Sequence, residues 1–190
     1  MDRSQHFNQR TALVFLSLFF VAIFSQGCST VHRMQISQHT NSTPALTDAR
    51  ADVIAADMTL ILQISDGAGD EQCRVRFERD GNVAVFTTGT GIINDSNAFS
   101  TVINLPGMVK VVNQINWCGA LAPNIIGCAP TPGNSFAVVR WSLIQEGVLW
   151  THEFGHNRGL SHRTDPTAVM NPIILTGARR VNAAECTAYR

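Results

Sequence analysis

The chain has 190 residues, with 14 basic side chains against 14 acidic ones and only 15% of all residues charged. So even a balance gives no electrostatic footprint for a nucleic acid, and no nucleic-acid partner is expected. A hydrophobic content of 45% over this length is enough for one domain with a sizeable core, once the N-terminal segment is set aside.

That segment reads as a targeting signal covering residues 1–27. Arg3 and Arg10 precede an apolar run from Ala12 to Phe24, 13 residues long and too short for a permanent membrane span. The run gives way to Ser25-Gln26-Gly27-Cys28, with small residues before a cysteine, as where a bacterial lipoprotein is cleaved and acylated. Ser25 and Gln26 depart from the usual residues there, so two readings stand: a membrane anchor through lipidated Cys28, or ordinary secretion. Residues 28–44 are polar and are expected to form a tether, with His32 and His39 as solvated linker histidines. The folded domain is expected over 45–190.

Setting Cys28 aside leaves Cys73, Cys118, Cys128 and Cys186. An even number in an exported chain points to two disulfides, with buried free thiols as the alternative. Cys118 and Cys128 flank a loop containing Gly and Pro that is easily closed by a bridge, which leaves Cys73 for Cys186. No C-x-x-C pair is present to suggest a cysteine-bound metal.

Along the domain, Thr47 to Ser65 has helical spacing, with Val53, Ala56, Leu60, Ile61 and Ile64 on its apolar face. The acidic stretch from Ser65 to Glu71 is a turn. Cys73–Arg79 and Asn82–Thr88 read as a β-hairpin across Asp80-Gly81. Ser96 caps a short helix over Ala98 to Asn104, which Pro106-Gly107 stops. Val109–Trp117 and Ser135–Leu143 are strands, and Gln145–Arg158 is a helix burying Val148, Leu149 and Phe154. Thr176–Tyr189 closes the chain as a helix, with Ala178, Val181, Ala184 and Ala188 as its apolar stripe.

The helix over 145–158 opens the stretch with the most chemistry, His152-Glu153-Phe154-Gly155-His156-Asn157-Arg158-Gly159-Leu160-Ser161-His162. Residues four apart on a helix share a face, so the rings of His152 and His156 can grip one ion. Gly159 tolerates the positive φ that ends a helix, and the turn brings His162 round as a third nitrogen ligand. Three neutral imidazoles plus a water make an open tetrahedral Zn2+ site of the catalytic type. Glu153 falls beside the open position, where a carboxylate serves as general base.

This stretch resembles the extended zinc motif H-E-x-x-H-x-x-G-x-x-H of the metzincin metalloproteases. Thr167-Ala168-Val169-Met170-Asn171-Pro172 is similar to the Met-turn of that clan, with Met170 as the floor under the metal. Arg163, after the third histidine, matches no usual subgroup marker, and no tyrosine follows Met170 closely enough to be an extra ligand. The likeness is strong over about 148–172. From Gln72 onward the chain is more weakly similar to lipoprotein-type bacterial metzincins. The resemblance implies an α+β zincin domain: a small twisted mixed sheet, an active-site helix, a Met-turn and a C-terminal helix. It also implies that Phe136, Ala137, Val138, Val139 and Arg140 form the cleft-edge strand along which an extended substrate pairs.

The resulting expectation is a monomeric, exported zinc endopeptidase acting on peptides or proteins, with Glu153 moving the proton. Two rival readings remain. One is a surface lipoprotein that holds zinc without cleaving anything; the other is a hydrolase of a non-peptide amide such as a cell-wall crosslink.

Overall fold

The computed structural model describes residues 29–63 and 73–190. The leader and Cys28 lie outside the described residues, as do Ile64 and the acidic turn. Among the described residues no helix is long and apolar enough to cross a membrane.

The chain enters the fold earlier than its composition implies. Thr30–Met34 (β1) and Ile36–His39 (β2) are strands, in the stretch expected to be a tether. β1 pairs in parallel with Val75–Arg79 (β3). β2 lies inside a five-stranded sheet, and all four of its residues are buried. Of its polar side chains, the Gln38 amide is tolerated because it finds backbone partners. Gln38 donates to the Leu46 carbonyl at 2.9 Å and accepts from the Leu46 N–H at 2.8 Å. His32 contacts the Tyr189 carbonyl through Nε2 at 2.7 Å, between Phe77 and Phe154. His39 is only 2% exposed, so neither histidine belongs to a solvated linker.

The helix Asp48–Gln63 (α1) buries Ala51, Ile54, Ala55, Met58, Ile61 and Leu62. This face is rotated from the expected one: Val53 and Leu60 are more than half exposed. The expected hairpin is replaced by two parallel pairings, β3 with β1 and Ala84–Phe86 (β4) with β2. Ile92–Ile93 (β5) leads to the helix Ser96–Ile103 (α2), capped by Asp95 rather than Ser96. The single strand expected over 109–117 divides at Asn113 into Val109–Val112 (β6) and Gln114–Trp117 (β7). β7 turns into Leu121–Ile125 (β8), followed by Gly127–Cys128 (β9) and Phe136–Val139 (β10).

The main sheet has the order β4-β2-β6-β10-β9, parallel except for β9, and β5-β7-β8 form a separate three-stranded sheet. Both faces of the main sheet are covered. Val109, Val111, Phe136 and Val138 join the core beneath the helices, while Val112 and Ala137 join a second core with Ile93, Val102 and Ile115. Burial on both sides explains the nearly unbroken apolar runs of β6 and β10. The helix Glu146–Asn157 (α3) packs on α1 and on the main sheet.

The closing helix is shorter than expected, spanning Ala183–Tyr189 (α4). Asn182 caps it, with a reciprocal bond from its own N–H to the Glu185 carboxylate, which fixes the start. Before the cap the chain is extended against the Met-turn, with Arg180 bridging to Ala168. The buried face of α4 is Glu185, Cys186 and Tyr189; of the expected stripe, Ala178 and Val181 are buried in the core ahead of the helix, while Ala184 is exposed. Disulfides join Cys73 to Cys186 and Cys118 to Cys128. Two such bridges mark a chain that matures in an oxidising, extracytoplasmic compartment.

Candidate metal centre

α3 presents His152 and His156 one helical turn apart, and Gly159, at φ 86°, reverses the chain after it. The Nε2 atoms of His152 and His156 are 3.1 Å apart, and those of His156 and His162 are 3.2 Å apart. All three ligand atoms lie within 4.8 Å of one another. A tetrahedral zinc ion with Zn–N bonds of about 2.05 Å requires nitrogen pairs about 3.3 Å apart, so the spacing fits. The tautomers fit as well. His152 Nδ1 is 2.8 Å from the Val169 carbonyl and His156 Nδ1 is 2.8 Å from the Leu160 carbonyl. A carbonyl can only accept, so each Nδ1 carries the proton and each Nε2 turns a lone pair inward. Lone pairs converging at these distances repel unless a cation lies between them.

Burial pushes the His152 imidazole down to about 3, the neighbouring His156 and His162 adding to the shift and the Val169 bond opposing it. Burial also lowers His156 and His162. All three rings are therefore neutral near pH 7, as metal ligation requires.

Glu153 lies on the same cleft wall, 5% exposed, and its Oε2 has no hydrogen-bond partner. Burial raises its carboxyl to about 8. A carboxyl kept dry and unpaired is poised to exchange a proton with a group arriving in the cleft. Its position is set by a residue that sequence reading missed. A Cβ on Gly127 would stand 2.2 Å from Glu153 Oε1, so the β9 backbone approaches the carboxyl as only glycine allows.

Met170 lies beneath α3, fully buried. Gly155 makes room for it, since a Cβ there would meet Met170 Sδ at 2.4 Å and the Tyr189 hydroxyl at 2.6 Å. Tyr189 Oη donates to the Thr151 carbonyl at 3.1 Å and lies 3.4 Å from Met170 Sδ.

The cleft over the three rings has a volume of about 680 Å³. Ile125, Ile126, Gly127, Trp141, Ile173 and Ile174 are among its lining residues. The expected edge strand is corrected here. Phe136–Val139 is bonded to β6 on one flank and β9 on the other, so it is an inner strand and offers no free edge. Phe136, Ala137 and Val138 are fully buried. Arg140, just beyond β10, makes an ion pair with Glu146 at 2.6 Å instead of facing a substrate. The free edge beside Glu153 belongs to β9.

Among the described residues, four helices and small mixed sheets make an α+β domain that brings the histidine triad and the turn carrying Met170 together. A crystal structure of an archaemetzincin from Methanopyrus kandleri at 1.5 Å has the same fold, with a TM-score of 0.50 and 15% identity over 87% of this chain and 95% of that one. No protein-family model matches the sequence, and no curated protein matches it.

Proposed function

We propose that the chain is a zinc-dependent endopeptidase, with the metal held by Nε2 of His152, His156 and His162. The observation that carries this reading is the juxtaposition, in one open cleft, of three convergent imidazole nitrogens and a buried carboxyl whose Oε2 has no hydrogen-bond partner. A zinc ion bound there supplies a Lewis acid that polarises a carbonyl and acidifies water.

The rest of the chemistry falls to the chain's own residues. Glu153 takes the proton of the attacking water and returns it to the leaving nitrogen. The outer edge of β9 pairs with the extended substrate backbone and holds the scissile bond over the triad. The apolar walls exclude bulk water and take uncharged side chains. A site serving only to hold zinc has no use for an unpaired carboxylate beside the ion, and this separates the reading from that of a non-catalytic zinc protein. The proposal includes export: the two disulfides support a place outside the cytoplasm, reached either by acylation at Cys28 or by ordinary secretion after a signal over 1–27. The test is Glu153→Gln, which should keep its zinc and lose hydrolysis of casein or gelatin.

A further inference from the structure

The three imidazoles are not held alike. His152 and His156 are each anchored through Nδ1 to a backbone carbonyl. His162 is the exposed member of the triad; its ring packs only on those of His152 and His156, and no backbone carbonyl is bonded to its Nδ1 among the described residues. It also lies past the helix end, on the chain that Gly159 turns. What fixes it must therefore act through the backbone.

Arg163, the residue that departs from the usual pattern, supplies that constraint. Its N–H donates to the Met170 carbonyl at 2.8 Å, tying the His162 segment to the Met-turn. Its guanidinium donates through Nη2 to the Arg180 carbonyl at 3.1 Å, and its Nε lies 3.3 Å from the Glu185 carboxylate as an ion pair without hydrogen-bond geometry. Each partner is itself held. The Arg180 carbonyl also accepts from the Val169 N–H at 2.9 Å, and the Val169 carbonyl is the acceptor for His152 Nδ1. The Glu185 carboxylate accepts from the Asn182 N–H at 2.8 Å in the cap of α4, next to bridged Cys186. One guanidinium thus links the third imidazole's backbone to the segment whose Val169 carbonyl orients the first imidazole.

We infer that Arg163 is the positioning residue of the third ligand, and that its fork sets how tightly and in what geometry the triad holds a divalent ion. The inference rests on the zinc reading above. Outer-sphere supports of this kind typically change metal affinity 10–100-fold. Lysine keeps the charge but loses the fork, so it should restore only part.

The experiment is zinc affinity by chelator competition, with the absorption spectrum of the cobalt(II)-loaded protein as a report on geometry. It compares wild type, Arg163→Ala, Arg163→Lys and a control, Arg79→Ala, which removes a comparably buried arginine that is bonded to Asp52 and does not line the cleft. Arg163→Ala should weaken zinc roughly 10–100-fold and alter the cobalt spectrum, with Arg163→Lys between it and wild type. Arg79→Ala should lower the melting temperature and leave both metal readouts unchanged. Wild-type affinity and spectrum in Arg163→Ala would overturn the inference, as would a loss no greater than in Arg79→Ala. If Arg163→Ala does not fold, Glu185→Gln, which keeps an acceptor for the α4 cap, should give a smaller loss in the same direction. An unchanged affinity there overturns the inference too. A wild-type protein that binds no zinc would sink the zinc reading itself, and the inference with it.

Discussion

Gly127 and Glu153 meet across the cleft rim so closely that a methyl group on Gly127 would stand 2.2 Å from the Glu153 carboxylate. Gly127→Ala therefore has to push the carboxylate away from the open side of the triad. The three histidines approach from α3 and the turn after it, so they should keep their places. Gly127→Ala is expected to bind zinc as wild type does and to lose at least tenfold in kcat/KM, about 1.4 kcal/mol of transition-state stabilisation. Metal analysis alongside peptide hydrolysis checks this; full activity in Gly127→Ala would place Glu153 outside the reaction.

Glu146, at the start of α3, holds an ion triad whose members are scarcely exposed. It pairs with Arg140 at 2.6 Å and with Arg50 at 2.8 Å, with the Glu146 side chain 1% exposed. Removing the shared anion leaves two guanidinium groups uncompensated, at a cost of about 3–5 kcal/mol. Glu146→Ala should lose that much in denaturant unfolding with an unchanged m-value. The triad also fixes the chain that carries Trp141 and Gln145 into the cleft, so KM should rise as well.

Lys110 gives a pH dependence whose sign is determined. It is fully buried in β6, and burial lowers its ammonium from 10.5 to about 8. Its Nζ donates to the Gly107 carbonyl. Between about pH 8 and 10 the unfolded chain keeps a proton there that the folded chain has released. Unfolding then takes up protons, so stability rises with pH across that window, by roughly 2 kcal/mol from this group. Below pH 8 both states are protonated, and the buried charge keeps its full destabilising effect. Above pH 10 the buried Tyr189 hydroxyl, raised by its own burial, acts with the opposite sign. Lys110→Met should be more stable than wild type at pH 7, and the difference should shrink toward pH 10. A constant difference would remove Lys110 as the cause.

The site was more legible in the sequence than the fold around it. His152, His156 and Glu153 are brought together by the 3.6-residue period, and one glycine turn at Gly159 adds His162. The contributions of β9 and β2 depended on contacts distant in sequence. No local signal marks Gly127 as the cleft rim, because its role is defined by a carboxylate 26 positions later. The polar residues of β2 look like linker until Leu46 satisfies Gln38. Alternation in β3 and β4 is equally compatible with a hairpin. Only the presence of β1 and β2 as parallel partners decides against it.

The central claim is that the zinc-loaded triad and Glu153 hydrolyse peptide bonds. It is tested most directly by mass spectrometry of a peptide library incubated with wild type and with Glu153→Gln, both carrying one zinc per chain. The account predicts internal cuts made by wild type, abolished by a chelator and absent from Glu153→Gln. Cuts of equal yield from Glu153→Gln, or no cuts from zinc-loaded wild type on any peptide, would contradict it.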